Sequence, residues 1–359
     1  MRGWFERDQS DDDCCCTARH DDATLVVDAN GCPGAGQLDT TGACRATVVD
    51  ALGDRDASAV VVRRAGREHV YLDDDAALLC AAGRFVERVR VHDERLADVA
   101  LTDPVTAAHE ATGRAGPVAT IAAETGLSLS ARRLGSVESL SAHVGPSIAH
   151  TRATVDPPSG CRLRDTRQLS TGATVRRYDR DDELPLYHLQ PPSATFDDDA
   201  MATLRDASEL VADGTVTGER APWRAVRAVT DDVPIEQLGR VLDRHTAGYG
   251  HLTDLFDDPR VSDVFASAPV PDTPLRVRVD GELATTNLRV GRRGVDALAS
   301  KLRRESGRAF SRASPTLDAA IEIGDRQVRV AGTMDPVSDG AAFALRAHDD
   351  STWTLPQLV

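Results

Sequence analysis

The sequence has almost no lysine: Lys301 is the only one, and all other basic residues are arginines. The 42 basic residues are outnumbered by 57 acidic ones, which gives a formal net charge of −15 at pH 7. A GC-rich genome also replaces lysine by arginine, but that bias leaves the acidic excess unexplained. The composition therefore favours a halophilic protein, adapted to concentrated salt, where screening removes the cost of carboxylate repulsion. An acidic surface also argues against nucleic acid as the main partner, because phosphate binding needs a basic patch.

Long apolar runs are absent as well. No stretch approaches the roughly 20 apolar residues that a membrane-spanning helix needs, and the first 16 residues lack the apolar segment of a signal peptide. We therefore expect a cytoplasmic protein. Any peripheral association of this protein with a membrane is expected at the inner face of that membrane. The seven cysteines of such a protein are expected to be reduced thiols or metal ligands.

A phosphate-binding loop is also missing. A P-loop places a lysine after a glycine-rich loop, so that its ammonium group reaches the β- and γ-phosphates of ATP. Lys301 lies instead in the helical pattern ALASKLRRE, without preceding glycines. The sequence also lacks a G-x-S-x-G motif, which presents the nucleophile of many hydrolases. We expect no ATP hydrolysis by this chain alone.

The 359 residues are enough for two or three domains that each bury a core. We interpret the chain as an α+β protein, in which a mixed α/β domain precedes a small module of one sheet covered by helices. The predicted parts are a disordered, acidic, cysteine-containing tail (1–22), the mixed domain of unknown role (23–145), a linker (146–160), a connecting region of helices and strands (161–243) and the C-terminal module (244–359).

The clearest pattern lies between Gly248 and Arg346. The run LRVRVDGELATTNLRV carries apolar residues on both sides of Asp280-Gly281. Asp-Gly readily adopts the positive φ angles of a tight turn, so this run predicts a hairpin. Apolar residues then recur at helical spacing up to Gly307, and two more strand-like runs end at FALR.

Four segments of this region follow one another in a specific order. They are LFDDPRVSDVFASAP, LRVRVDGELATTNLRV, LASKLRRESGRAFSRASPTLDAAIEIGDRQVRVAG and SDGAAFALRA. In that order they resemble the domain that precedes the P-loop domain in type II and type IV secretion ATPases, the superfamily that includes the motors of type IV pili and archaella. The resemblance implies that this chain is the N-terminal part, or a truncated paralogue, of such an ATPase.

The resemblance also implies partners and cofactors. Members of this superfamily are hexameric, so it implies contacts with P-loop ATPase domains or subunits and with the membrane platform protein of a secretion or pilus system. ATP and Mg²⁺ would be held only together with a P-loop domain that this sequence does not contain. The alternative is a stand-alone, non-catalytic interaction or regulatory module, stabilised by zinc.

Arginines are the site residues that the resemblance implies. In the resembled family the domain before the P-loop closes over the nucleotide and directs arginines toward its phosphates, a task that suits a guanidinium because it stays charged and grips phosphate bidentately. The residues that face the nucleotide by this resemblance are Arg346, Arg326 and Arg329. The candidates for subunit-interface or nucleotide contacts are Arg304, Arg308 and Arg312. The alternative for each is pairing with a surface carboxylate.

Cysteines are the second candidate site. Residues 14–16 are all cysteines, and Cys14, Cys16, Cys32 and Cys44 can supply four thiolates to a tetrahedral zinc ion. Such a site would fasten the tail to the first domain. Their spacing includes none of the usual C-x₂₋₄-C pairs, so an ordinary set of reduced thiols is the alternative.

Overall fold

The computed structural model describes residues 14–230 and 232–348. The chain divides into two compact units, residues 1–144 and residues 145–359. Each unit combines helices with a sheet that contains both parallel and antiparallel strand pairs, which confirms the predicted α+β class. Within the described residues, no helix combines the length and the apolar character needed to cross a membrane.

Strands β1 to β4 of the first unit lie side by side in chain order. Strands β1 and β2 are antiparallel, β2 and β3 are parallel, and β3 and β4 are antiparallel. The parallel pair requires a crossover, which helix α1 supplies. The bounds are β1 (Thr17–Asp21), β2 (Thr24–Asp28), α1 (Gly42–Leu52), β3 (Ala59–Arg64) and β4 (Arg67–Tyr71).

Five further helices complete the first unit, and α2 packs against α1, α3 and α6. Helix α2 has three aspartates in its first turn and an apolar face that includes the fully buried Phe85. This face explains why the segment is helical, because apolar residues at helical spacing need a core to cover them. The bounds are α2 (Asp73–Val89), α3 (Glu94–Thr102), α4 (Pro104–Thr112), α5 (Pro117–Glu124) and α6 (Leu127–Leu134).

The prediction of a disordered tail at 1–22 is wrong for its second half. Residues 17–21 form β1, whose backbone pairs with β2 from Thr17 opposite Asp28 to Asp21 opposite Thr24. Strand β1 has no buried residue, so it lacks the apolar alternation that predicts a strand, and backbone hydrogen bonds hold it in place. Residues 1–13 of the predicted tail lie outside the described part of the chain.

A nine-stranded sheet dominates the second unit, in the order β14-β15-β16-β10-β11-β12-β9-β8-β7. Strands β9 and β12 are a parallel pair, so residues from the predicted connecting region and from the C-terminal module share this one sheet. The bounds are β7 (Arg162–Gln168), β8 (Thr174–Asp179), β9 (Leu186–Gln190), β10 (Val261–Ala266), β11 (Arg276–Val279), β12 (Glu282–Thr286), β14 (Thr316–Ile323), β15 (Arg326–Thr333) and β16 (Ala342–Ala347).

The predicted hairpin at Asp280-Gly281 is confirmed. Strands β11 and β12 are antiparallel, with Val279 opposite Glu282. Asp280 and Gly281 have φ angles of 51° and 80°, as a two-residue turn with two left-handed positions requires. Gly307 likewise ends the predicted helix with a left-handed conformation.

Helices α7, α8 and α9 form a cluster with its own apolar core, while α10 and α11 pack against the sheet. Strand β6 lies inside the stretch predicted as a linker and pairs with β13. The remaining bounds are β5 (His143–Pro146), β6 (Thr151–Thr154), α7 (Asp198–Ala212), α8 (Ala221–Val229), α9 (Ile235–Thr246), α10 (His251–Asp257), β13 (Leu288–Val290) and α11 (Arg292–Ser306), with 3₁₀ turns at Val137–Ser139, Pro192–Thr195 and Val270–Asp272.

Candidate metal centre and arginine face

The topology of the first unit brings four cysteines together. Strand β1 is antiparallel to β2, so the start of β1 lies beside the end of β2. Cys14 and Cys16 come directly before the start of β1. The loop that leaves the end of β2 carries Cys32, and this loop leads into α1, whose first turn carries Cys44. Three separate chain segments thus converge on one point.

The four sulfur atoms of this cysteine cluster lie within 4.8 Å of one another. The Sγ–Sγ distance is 3.6 Å between Cys32 and Cys44, 3.8 Å between Cys14 and Cys32, and 3.9 Å between Cys16 and Cys44. All four are free thiols, since a disulfide needs a separation of about 2.05 Å. Cys32 and Cys44 are buried, and the other two are half-buried.

Hydrogen-bond donors surround the sulfur atoms. The backbone N–H of Cys16 and the hydroxyl of Thr47 donate to Sγ of Cys14, at 3.3 and 3.2 Å. Backbone N–H groups of Cys15 and Gly34 donate to Cys32, and that of Gly36 donates to Cys44. Such donors stabilise the thiolate form, which is the form that binds a metal.

The pKa of Cys32 differs from the pKa values of Cys16 and Cys44. Burial raises the pKa of Cys32, but the N–H of Cys15 and the neighbouring thiols of Cys16 and Cys44 more than reverse this, and the pKa is about 6. Burial raises the pKa of Cys44 to about 12, and burial also raises that of Cys16. These contacts therefore favour the thiolate form of Cys32.

Two glycines allow the loop to close on the cluster. A Cβ atom on Gly34 would lie 2.5 Å from Cγ2 of Thr41 and 2.7 Å from Sγ of Cys44. Gly36 has a φ angle of 69°, and a Cβ there would lie 2.4 Å from Cγ1 of Val62. The two glycines of the sequence Cys-Pro-Gly-Ala-Gly at 32–36 thus leave the space that the side chains around the cluster occupy.

In the second unit, Arg329 and Arg346 lie directly opposite each other on β15 and β16. Both point to the exposed side of the sheet, and each side chain is 72% exposed. Arg329 makes two hydrogen bonds to the exposed carboxylate of Asp318, at 2.8 and 3.0 Å, whereas Nε of Arg346 lies 2.6 Å from the buried carboxylate of Asp263. We call this pair and its surroundings the arginine face.

Small side chains border the arginine face. Ala320 lies opposite Arg329, and Ala331 and Ala344 form the next cross-strand pair on the same exposed side. Because these residues project only methyl groups, a flat ligand or a partner surface can approach both guanidinium groups from solvent. Arg308 contributes to the same region, since it lines a shallow groove with Asp318 and Arg329.

Arg326 does not belong to the arginine face. It is an odd number of residues from Arg329, so its side chain leaves the opposite side of β15. Its guanidinium donates to the carbonyl oxygens of Phe256, Asp258 and Val261, the last at 2.9 Å. Arg326 therefore holds the end of α10 to the start of β10.

The other two predicted arginines lie elsewhere. Arg304, in the last turn of α11, lines a cavity of about 160 Å³ together with apolar residues of the sheet. Lys301 also lines this cavity, and its ammonium is engaged by the carbonyl of Ala247 and the carboxylate of Glu305. Arg312 is exposed in the loop after α11. The structure thus brings together Arg308, Arg329 and Arg346 among the six predicted arginines.

The carboxylate partners of the arginine face could not be predicted from the sequence. Asp263 is 4% exposed and also accepts a hydrogen bond from the hydroxyl of Ser262. Asp263 on β10 lies opposite Arg346 on β16, and these two strands are about 80 residues apart in the chain. The local signal for Asp263 was a single charged residue within the otherwise uncharged run VSDVFA.

The chain is similar to a solved structure of a secretion ATPase. It is the crystal structure of the VirB11 ATPase from the Brucella suis type IV secretion system in complex with sulphate. The match has 16% sequence identity and a TM-score of 0.23, and it covers 30% of this chain and 31% of that chain. The chain thus matches less than a third of the length of that ATPase. No protein-family model and no curated protein matches the sequence.

Proposed function

We propose that the second unit is a non-catalytic, nucleotide-facing module of a type II/IV secretion-type ATPase, in which Arg329 and Arg346 contact the phosphates of a nucleotide held by a P-loop elsewhere. One observation carries this proposal: the two arginines form an adjacent, exposed pair on a face bordered by alanines. The four ordered sequence segments that resemble this family lie in the same part of the chain, around β10 to β16.

The existing ion pairs are compatible with this role. Asp318 is 62% exposed, so its bond to Arg329 contributes little and a phosphate can replace it at low cost. Arg346 uses Nε to bind Asp263, which leaves its terminal nitrogens on the exposed end of the side chain. A polyphosphate carries more charge than one carboxylate and accepts bidentate hydrogen bonds from each guanidinium.

The proposal assigns the remaining chemistry to partners. ATP and Mg²⁺ bind to the P-loop of another domain or subunit, in a homo- or hetero-oligomer of the hexameric kind. A membrane platform protein of a secretion, pilus or archaellum system is the further proposed partner, and it would place the assembly at the inner face of the membrane.

Titration with a slowly hydrolysed ATP analogue tests the proposal. The full chain is titrated alone and then in a mixture with any P-loop ATPase that is encoded beside it. We expect tight binding only in the mixture, and a loss of affinity of about tenfold or more in the Arg329→Ala and Arg346→Ala variants, since a charge-assisted contact to phosphate is worth more than about 1.4 kcal/mol. Arg312→Ala is the matched control, because Arg312 is an exposed arginine outside the arginine face.

Three outcomes separate the alternatives. Unchanged affinity in the double variant, with the fold intact by circular dichroism, contradicts the role of the arginine face. ATP turnover by the chain alone, abolished by changing one of its own residues, contradicts a non-catalytic module. Absence of binding both alone and in the mixture supports a stand-alone interaction or regulatory module instead.

A further inference from the structure

We propose that Cys14, Cys16, Cys32 and Cys44 bind one zinc ion in a closed tetrathiolate site. This site lies in the first unit and does not depend on the function proposed for the second unit. It would be structural, because four protein ligands fill the tetrahedral coordination of zinc and leave no position for a substrate.

Distances between the sulfur atoms support this site. In a tetrahedral zinc site with Zn–S bonds of about 2.3 Å, neighbouring sulfur atoms are about 3.8 Å apart. The three Sγ–Sγ distances of 3.6, 3.8 and 3.9 Å agree with that value. These three contacts link all four cysteines, and the widest separation in the group is within 4.8 Å. Small adjustments of the half-buried Cys14 and Cys16 therefore suffice to complete the tetrahedron.

The surroundings supply what a zinc–thiolate centre needs. Four thiolates and one Zn²⁺ carry a net charge of −2, which must be stabilised when two of the sulfur atoms are buried. The hydroxyl of Thr47 and the backbone N–H of Cys16 donate to Cys14, and backbone N–H groups of Gly34 and Gly36 donate to Cys32 and Cys44. Outer donors of this kind orient metal ligands and stabilise their charge.

The ligand type also selects the metal. Thiolates are soft ligands that favour zinc, copper(I) and iron over the hard cations Mg²⁺, Ca²⁺ and Mn²⁺. Tetrahedral sulfur coordination fits zinc and iron. Zinc is the better assignment for a structural role, because it has no redox chemistry.

The site would have a definite effect on folding. Strand β1 contributes no buried side chain, so its backbone pairing with β2 is its main link to the unit. Zinc would add a direct link from the residues before β1 to the loop after β2 and to α1. Binding free energy at such a site is folding free energy, because the unfolded chain has no preformed site.

The test begins with metal analysis of the full chain purified under reducing conditions. We expect about one zinc per chain, and for the Co²⁺-substituted protein the visible d–d bands of tetrahedral cobalt–thiolate coordination. Cys32→Ser and Cys44→Ser are expected to lose the metal. Cys15→Ser is the matched control, since Cys15 lies between two proposed ligands but is exposed and outside the cluster; it should keep one zinc.

A second measurement avoids dependence on variants that fail to fold. Zinc is removed from the wild-type chain with a chelator, and backbone hydrogen exchange is compared before and after. We expect faster exchange in residues 17–21 and in the loop before α1, reversed when zinc is added back. Reaction of the four cluster thiols with a thiol reagent, without release of metal, overturns the proposal. A metal content that Cys32→Ser and Cys44→Ser leave unchanged also overturns it. Iron in place of zinc, seen as a coloured protein, overturns the assignment of the metal.

Discussion

Arg346 and Asp263 form an ion pair whose two members differ sharply in exposure. Nε of Arg346 lies 2.6 Å from the Asp263 carboxylate, and the two side chains are 72% and 5% exposed. The arginine is thus accessible to a ligand, while the carboxylate that orients it is part of the sheet. Asp263 also lies 3.5 Å from Nε of Arg278, so one buried carboxylate serves two guanidinium groups.

A double-mutant cycle can measure the strength of this pair. Arg346→Ala leaves a buried carboxylate with weaker compensation, so we expect a loss of about 1 kcal/mol in the free energy of unfolding, more than an exposed pair contributes. Asp263→Asn keeps the shape and removes the charge, and the double variant should lose less than the sum of the single ones. Arg329→Ala is the control, with an expected loss below about 0.5 kcal/mol because its pair is exposed on both sides. Equal losses for both arginine variants in urea denaturation would contradict the difference in burial.

Asn287 provides a prediction about stability alone. Its side chain accepts a hydrogen bond from the N–H of Leu189 and donates to the carbonyl oxygens of Leu189 and Thr154, all at 2.8 to 3.0 Å, and it is 6% exposed. Asn287→Ala removes the partner of three backbone groups, so we expect a loss of about 2–4 kcal/mol in the free energy of unfolding.

Urea denaturation of the Asn287→Ala variant checks this value. The matched control is Gln168→Ala, which removes an exposed amide that also makes two hydrogen bonds. We expect a change within about 0.5 kcal/mol for the control, because water can replace the lost bonds. A loss for Asn287→Ala as small as that of the control would show that the three hydrogen bonds are not needed.

Asp75 should make stability depend on pH. Burial, together with the nearby Asp73 and Asp74, raises the pKa of Asp75 to about 7, although the backbone N–H of Ser141 partly offsets this. The folded state thus binds a proton that the unfolded state releases near pH 4. The stability contributed by the protonated form is fully present below about pH 4 and is lost as the pH rises to about 7.

The Asp75→Asn variant removes this dependence. We expect it to be more stable than the wild type at pH 8, by about 2 kcal/mol, and to lose the advantage at pH 4.5. Urea denaturation of both proteins at pH 4.5, 6 and 8 measures the difference, and any effect of pH on the cysteine cluster is common to both. Asp98→Asn, at an exposed position of α3, is the control. A difference that is constant with pH would contradict the raised pKa.

Gly34 tests the fit of the loop around the cysteine cluster. Gly34→Ala places a methyl group 2.5 Å from Thr41 and 2.7 Å from Sγ of Cys44, so we expect a loss of about 1–3 kcal/mol in stability and weaker zinc binding. Gly31→Ala is the control, because Gly31 has a φ angle of 73° but open space around its Cα. It should cost about 1 kcal/mol through backbone strain and leave zinc binding unchanged, as competition with a chromophoric chelator can measure. Equal effects on zinc affinity would contradict the steric role of Gly34.

Local signals predicted a large part of the fold. The turn at Asp280-Gly281 was readable because few residue pairs accept two positive φ angles, and the end of α11 was readable because Gly307 takes the left-handed conformation. These features depend on neighbouring residues only.

Features that depend on pairing between distant segments of the chain could not be predicted from the sequence. Strand β1 has no apolar alternation, so the sequence does not predict that this segment is a strand. Its ordered conformation becomes evident only from the pairing of its backbone with β2. The same pairing unites four cysteines whose spacing in the sequence is irregular. The family resemblance grouped Arg326 with Arg329, but an odd separation on a strand puts the two side chains on opposite sides of the sheet.

The parallel pairing of β9 with β12 has a practical consequence for anyone who cuts the chain. A fragment that begins at residue 244 lacks β7, β8 and β9, so it leaves the edge of β12 at Thr285 and Thr286 without its neighbour. Exposed strand edges recruit other chains and promote aggregation. A fragment that begins before Arg162 keeps all nine strands, so the edge of β12 stays covered by β9.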